Sequence, residues 1–109
     1  MKKGNIITIT ILLGVIIISF LILNQNPNTD EETAKCIGEN SILYVQLGCH
    51  ACEIQKDMFG DNYKHLTIVD CFYERGKCLE IQSTPTWIIK GQKYTGVQSI
   101  EKLKELTGC

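Results

Sequence analysis

The sequence predicts an α/β domain, a four-stranded mixed sheet with helices packed on it in the order βαβ, short helix, ββα, preceded by one N-terminal transmembrane helix. Three observations predict it. An uncharged apolar run fills residues 6–23, two β-prone runs flank a helix-forming stretch, and two more such runs are joined by only two residues ahead of an amphipathic C-terminal segment. Alternating β and α elements followed by a hairpin build a mixed sheet.

The apolar run, taken first, contains 18 residues without a charge, and as a helix it reaches about 27 Å, enough to cross a bilayer. A small domain offers nothing that could surround a segment apolar on every side, which argues against a buried core helix. A cleaved signal would carry a shorter apolar stretch and small residues at its end, whereas this one ends Phe20-Leu21-Ile22-Leu23-Asn24-Gln25. Lys2 and Lys3 precede the run and Asp30, Glu31 and Glu32 follow it, so the positive-inside rule puts the N-terminus in the cytoplasm and the rest outside. The expected organisation is a membrane anchor at 1–23, a polar linker at 24–35 and a folded domain at 36–109.

Beyond the anchor the chain has nine basic residues (11 less Lys2 and Lys3) against 12 acidic ones, about −3 with His neutral. That charge supplies no field for nucleic acid. All six cysteines lie in this part, a density typical of an oxidising compartment and in agreement with the expected topology.

Residues 41–47 form a mostly apolar β-prone run stopped by Gly48, as a buried strand is. Residues 50–59 are helix formers, with Ala51, Ile54 and Met58 expected on the inward face and Gly60 as the stop. Residues 66–69 give a second strand, parallel to the first because a helix connects them. A short helix is expected at 77–81. Strands at 86–89 and 92–95 flank Lys90-Gly91, a two-residue hairpin connection whose turn type stays open because Lys is unusual at the first position. Ser99 then caps a helix over 100–106 with Ile100, Leu103 and Leu106 or Thr107 inward.

The chemistry concentrates in Cys49-His50-Ala51-Cys52, which falls at the start of the first domain helix. Disulfide exchange needs an attacking thiolate, a second thiol close enough to resolve the mixed disulfide, and exposure of the first alone. Free N–H groups and the positive end of the helix dipole favour the thiolate at Cys49, and Cys52, one turn inward, resolves. His50 can add positive charge beside the Cys49 sulfur, which stabilises the reduced form and makes the disulfide more oxidising; otherwise it is a solvated residue. His65 shows no partner and reads as a surface residue. A zinc site is the rival reading of the two cysteines, but Cys71 and Cys78 are spaced wrongly for a second knuckle. No metal or other cofactor is expected. Pro85, in Ser83-Thr84-Pro85-Thr86, stands where a strand must start, turn or lie at an edge.

These residues resemble a known family. The strand, Cys-x-x-Cys helix, strand, Thr84-Pro85-Thr86, hairpin and final helix are similar to thioredoxin-like domains over residues 41–106. The run 49–56 with Phe59-Gly60, then Asp70-Cys71 and residues 85–99, resembles the thioredoxin-like domain fused to vitamin K epoxide reductase homologues. The resemblance implies a cis Pro85 lying against Cys49 and Cys52, and a Thr84 backbone that holds a substrate segment in extended form. It also implies a vitamin K epoxide reductase-like membrane partner that passes electrons to a quinone, and client proteins with cysteines to be oxidised. Gly48 and Leu43 stand where thioredoxins proper carry Trp and an acidic residue, which makes a cytoplasmic-type reductant the less fitting reading. No quinone-binding four-helix segment is present in the sequence, so the electron acceptor is expected on a separate protein.

Six cysteines allow fifteen pairings and spacing alone does not choose. In the thioredoxin-like arrangement Cys36 and Cys109 both fall at the sheet edge opposite the active site, while Cys71 and Cys78 are neighbours at the upper edge. Cys36–Cys109 and Cys71–Cys78 bridges are therefore expected, with an unpaired Cys109 as the alternative. Protein-disulfide oxidation is the leading function, ahead of a reductase or isomerase fed by a membrane electron carrier and of a non-catalytic metal-binding adaptor.

Overall fold

A computed structural model describes residues 3–23 and 29–109. Helix α1 (Lys3–Leu23) is long and apolar enough to be a candidate membrane span, and none of Lys3–Ile22 is buried against the rest of the chain. Its two threonines return their hydroxyls to the helix, Thr8 to the Gly4 carbonyl and Thr10 to the Ile6 carbonyl. Polar side chains inside such a helix are thereby satisfied without water.

The first departure from expectation follows at once. Helix α2 (Glu31–Asn40) begins five residues ahead of Cys36, inside what reads as linker, and the buried Thr29 precedes it. Asp30 caps α2 through Thr33 N–H, Glu31 and Glu32 fill the acidic first turn, and Ala34 and Ile37 enter the core. Dividing the chain at Cys36 separates these two apolar residues, which at i, i+3 spacing share one face. Thr29 is itself buried, its N–H and hydroxyl both donating to the Met58 carbonyl at 3.2 and 2.9 Å.

Strand β1 (Ser41–Val45) leads to α3 (His50–Asp57), a 3-10 turn (Gly60–His65) and β2 (Ile68–Asp70). The short helix expected at 77–81 is instead a single 3-10 turn at Arg75–Lys77, inside a loop closed by the Cys71–Cys78 disulfide. Strands β3 (Thr86–Ile89) and β4 (Gln92–Thr95) and helix α4 (Ile100–Thr107) complete the fold. The sheet order is β2-β1-β3-β4, with β1 parallel to β2 and antiparallel to β3, and β3 antiparallel to β4. Lys90 and Gly91 both have positive φ, 52° and 78°, the pairing that a type I′ hairpin turn needs.

The core joins Ala34 and Ile37 of α2, Leu43 and Val45 of β1, Phe59, Trp87 and Ile89 of β3, and Leu103 of α4. Helix α2 also lies against the 60–66 segment at backbone distance: a Cβ at Gly38 would overlap the His65 carbonyl, and Thr67 Oγ1 donates to the Gly38 carbonyl at 2.7 Å. His65 is thus not the surface residue expected, since its side chain is mostly buried with Nε2 3.4 Å from Glu31 Oε1. Cys36 and Cys109 are bonded, as are Cys71 and Cys78, the pairs expected from the sheet order.

Candidate active site

Strand β1 ends at Val45, and the chain turns through Gln46, Leu47 and Gly48 before α3 begins. Gly48 has φ +84°, a backbone state that side chains disfavour, and Cys49 N–H closes the turn on the Gln46 carbonyl at 3.0 Å. Cys49 is therefore delivered to the N-cap of α3. Its sulfur accepts the Cys52 N–H at 3.1 Å and is bonded to the Cys52 sulfur. Cys52 is only 6% exposed, whereas Cys49 is half-buried, so a second molecule meets Cys49 first. His50 is exposed, and its side chain makes no hydrogen bond among the described residues.

The end of β2 braces this loop. Asp70 Oδ1 accepts from Leu47 N–H at 3.3 Å and from Phe72 N–H at 2.9 Å, tying the active-site turn to the segment that carries Cys71. On the other side the Thr84–Pro85 peptide is cis, and the Thr84 carbonyl oxygen lies 3.5 Å from the Cys49 sulfur. With the disulfide closed that sulfur has no proton to donate, so the carbonyl keeps a free acceptor beside the exposed end of the bond. Pro85 is fully buried, and its own carbonyl accepts from Gly96 N–H at 2.8 Å. Cys49, Cys52, Thr84 and Pro85 are thus brought together, while Cys36 and Cys109 are not part of this site.

A cavity of ≈ 330 Å³ reaches Cys52 from the β2 side, between Glu53, Lys56, Tyr63 and Asp70. Burial, with the negative charges of Glu53 and Asp70, holds the Tyr63 hydroxyl above its ordinary pKa, and Lys56 Nζ lies 5.4 Å over the Tyr63 ring. The outer edge of the site is apolar: Leu47, Phe72 and Tyr73 are exposed, the two aromatics packed edge-to-face on each other.

The inward face of α3 differs from expectation. Cys52 and Gln55 are buried, with Phe59 just beyond the helix, while Ile54 is 43% exposed. Gln55 is fully buried because its carboxamide is fully partnered: Oε1 accepts from Trp87 Nε1–H at 3.0 Å and Gln98 N–H at 2.7 Å, and Nε2 donates to the Gln98 carbonyl at 3.0 Å. Counting apolar residues assigns a helical Gln to water. The overlooked signal is that Cys52 must face inward to resolve, which carries its i+3 and i+7 neighbours, Gln55 and Phe59, inward with it.

Among the described residues no group of three or more His, Cys, Asp or Glu is arranged to hold a metal ion. No protein-family model matches the chain. The chain is similar to the thiol-disulfide oxidoreductase LTO1 of Arabidopsis thaliana, at 35% identity over 77 residues, covering 61% of this chain and 20% of that protein. It therefore spans about a fifth of the relative's length. This homology supports a redox role and oxidoreductase activity in general, and together with the mixed four-stranded sheet it fits a thioredoxin-like fold.

Proposed function

We propose that this protein is a membrane-anchored thiol–disulfide oxidoreductase that oxidises cysteines of secreted proteins outside the cytoplasm. The observation that carries the reading is the Cys49–Cys52 disulfide at the N-cap of α3, with Cys49 the more exposed sulfur and an unoccupied backbone acceptor, Thr84 O, beside it. A client thiolate attacks the Cys49 sulfur, the Cys49–Cys52 bond breaks, and Cys52 leaves as a thiolate that takes up a proton. A second client thiolate then attacks the client sulfur of the mixed disulfide and releases Cys49 as a thiolate. The client has lost two electrons and two protons, and both cysteines are reduced. The exposed Leu47, Phe72 and Tyr73 give an unfolded client apolar surface next to the reacting bond.

Reoxidation is assigned to a quinone-linked membrane protein similar to vitamin K epoxide reductase. The early start of the domain supports a partner at the membrane. Only five residues separate Leu23 from the buried Thr29, a span of at most about 20 Å when fully extended. Lys2 and Lys3 ahead of the apolar run and the acidic first turn of α2 after it support a cytoplasmic N-terminus.

The reduction potential of the Cys49–Cys52 couple, measured by equilibration with glutathione, tests the direction. A value of roughly −120 to −180 mV supports the oxidase, and one near −270 mV overturns it in favour of a reductase.

A further inference from the structure

The active site is built from two pieces of chain, the redox helix α3 and the strap Ser83–Trp87, whose last two residues pair in the sheet with Tyr44 and Leu43 of β1. Gln55 is the side chain that joins them. Its Oε1 spends both lone pairs on N–H donors, one from Trp87, two residues beyond Pro85, and one from Gln98. Its Nε2 donates to the carbonyl of the same Gln98 and lies 3.5 Å from Met58 Sδ. The reverse amide orientation would set an NH₂ group against two N–H donors, so the network dictates which atom is oxygen. Gln98 in turn donates from its side chain to the carbonyls of Thr95 and Gly96, and Gly96 N–H bonds the Pro85 carbonyl. The strap is therefore fastened to α3 twice, directly through Trp87 and indirectly through Gln98 and Gly96.

We infer that Gln55 is a positioning residue for client capture: by clamping the Pro85–Trp87 strap to the redox helix it keeps the Thr84 carbonyl beside the Cys49 sulfur, where an extended client segment can pair with the strap while its thiolate reacts. The inference rests on the proposed exchange activity. It makes a distinction that a purely structural role does not. A peptide needs both the sulfur and the strap, whereas a small dithiol needs only the sulfur, so loss of the clamp slows the first reaction and spares the second.

The test uses the full chain in detergent micelles, comparing wild type with Gln55→Met, which matches the unbranched shape but carries no amide, and Gln55→Glu, the conservative variant, whose protonated carboxyl accepts both bonds and donates its O–H to the Gln98 carbonyl. Rates of reduction of the Cys49–Cys52 disulfide are read with a cysteine-containing peptide and with dithiothreitol, and a cooperative thermal transition followed by far-UV circular dichroism reports a retained fold. The expected result is a tenfold or greater loss of peptide rate in Gln55→Met, a dithiothreitol rate within twofold of wild type, and recovery to within about threefold in Gln55→Glu. Equal losses with both reductants, or an unchanged peptide rate, overturn the inference. If Gln55→Met does not fold, Gln55→Leu, also without an amide, decides: a loss confined to the peptide supports the clamp, and no loss, or an equal loss with both reductants, overturns it. A wild type that reacts with neither reductant refutes the exchange activity itself, a result separate from the behaviour of the variants.

Discussion

Cutting the Cys36–Cys109 bridge tests the energetic frame of the domain. The bridge closes a loop of sequence separation 73 and joins α2 to the residue just past α4, with its Cα atoms 5.9 Å apart. On the chain-entropy model a loop of that length restrains the unfolded chain by about 15 cal/mol/K, or about 4.4 kcal/mol at 25 °C. The Cys71–Cys78 bridge spans a separation of only 7 and on the same model contributes about 2.4 kcal/mol. Against a total stability of roughly 4–12 kcal/mol for a domain of about 80 residues, the first bridge is a large share and the second a modest one. The double variant Cys36→Ser/Cys109→Ser, kept in its full chain with Cys49–Cys52 oxidised, is expected to lose roughly 20–30 °C in Tm. Its denaturant slope should also rise, because the freed unfolded chain exposes more surface. Thermal and guanidinium unfolding, followed by far-UV circular dichroism, measure both. If Cys36→Ser/Cys109→Ser loses no more than Cys71→Ser/Cys78→Ser, loop length is not what sets these contributions and the reasoning is refuted.

Cys52→Ser is expected to accumulate client proteins disulfide-linked to Cys49, visible as reductant-sensitive bands on non-reducing gels, whereas Cys49→Ser is not; the opposite pattern would reverse the two roles. Protease added to intact cells or spheroplasts should remove the domain, and full protection would contradict the proposed orientation. Gly38→Ala should destabilise by at least about 2 kcal/mol in denaturant melts, because its Cβ meets the His65 backbone, which cannot move aside as a side chain can. Hydrogen bonding from Thr33 holds Asp30 below its ordinary pKa of 3.8, and Lys35 holds Glu31 below 4.5. Lowered carboxylates stabilise the fold above those unfolded values and lose that contribution as pH falls through the still lower folded ones. The Tm gap between wild type and Asp30→Ala should accordingly be wider at pH 6 than at pH 2.5; an equal gap at both would show that the Asp30 charge adds nothing to the cap.

What the sequence determined by itself are the features encoded by neighbours along the chain. The uncharged run that becomes α1, the Ser99 cap and Leu103 face of α4, the strands 86–89 and 92–95, and the placement of Cys49 at a helix start all follow from periodicity, capping residues and spacing. Each rests on contacts a few residues apart, so a linear reading reaches them. Tertiary structure decided the rest. The first half of α2, residues 31–35, reads as polar linker until Ala34 joins Ile37 in the core, and Lys90 accepts a positive φ because the strands on either side impose the twist of the hairpin. The inward face of α3 turned on Gln55, a residue whose burial is tolerable only because Trp87 and Gln98, 32 and 43 positions away, satisfy its amide. A buried polar group is costly without partners and stable with them, and partners that distant are supplied by the fold and not by the local sequence.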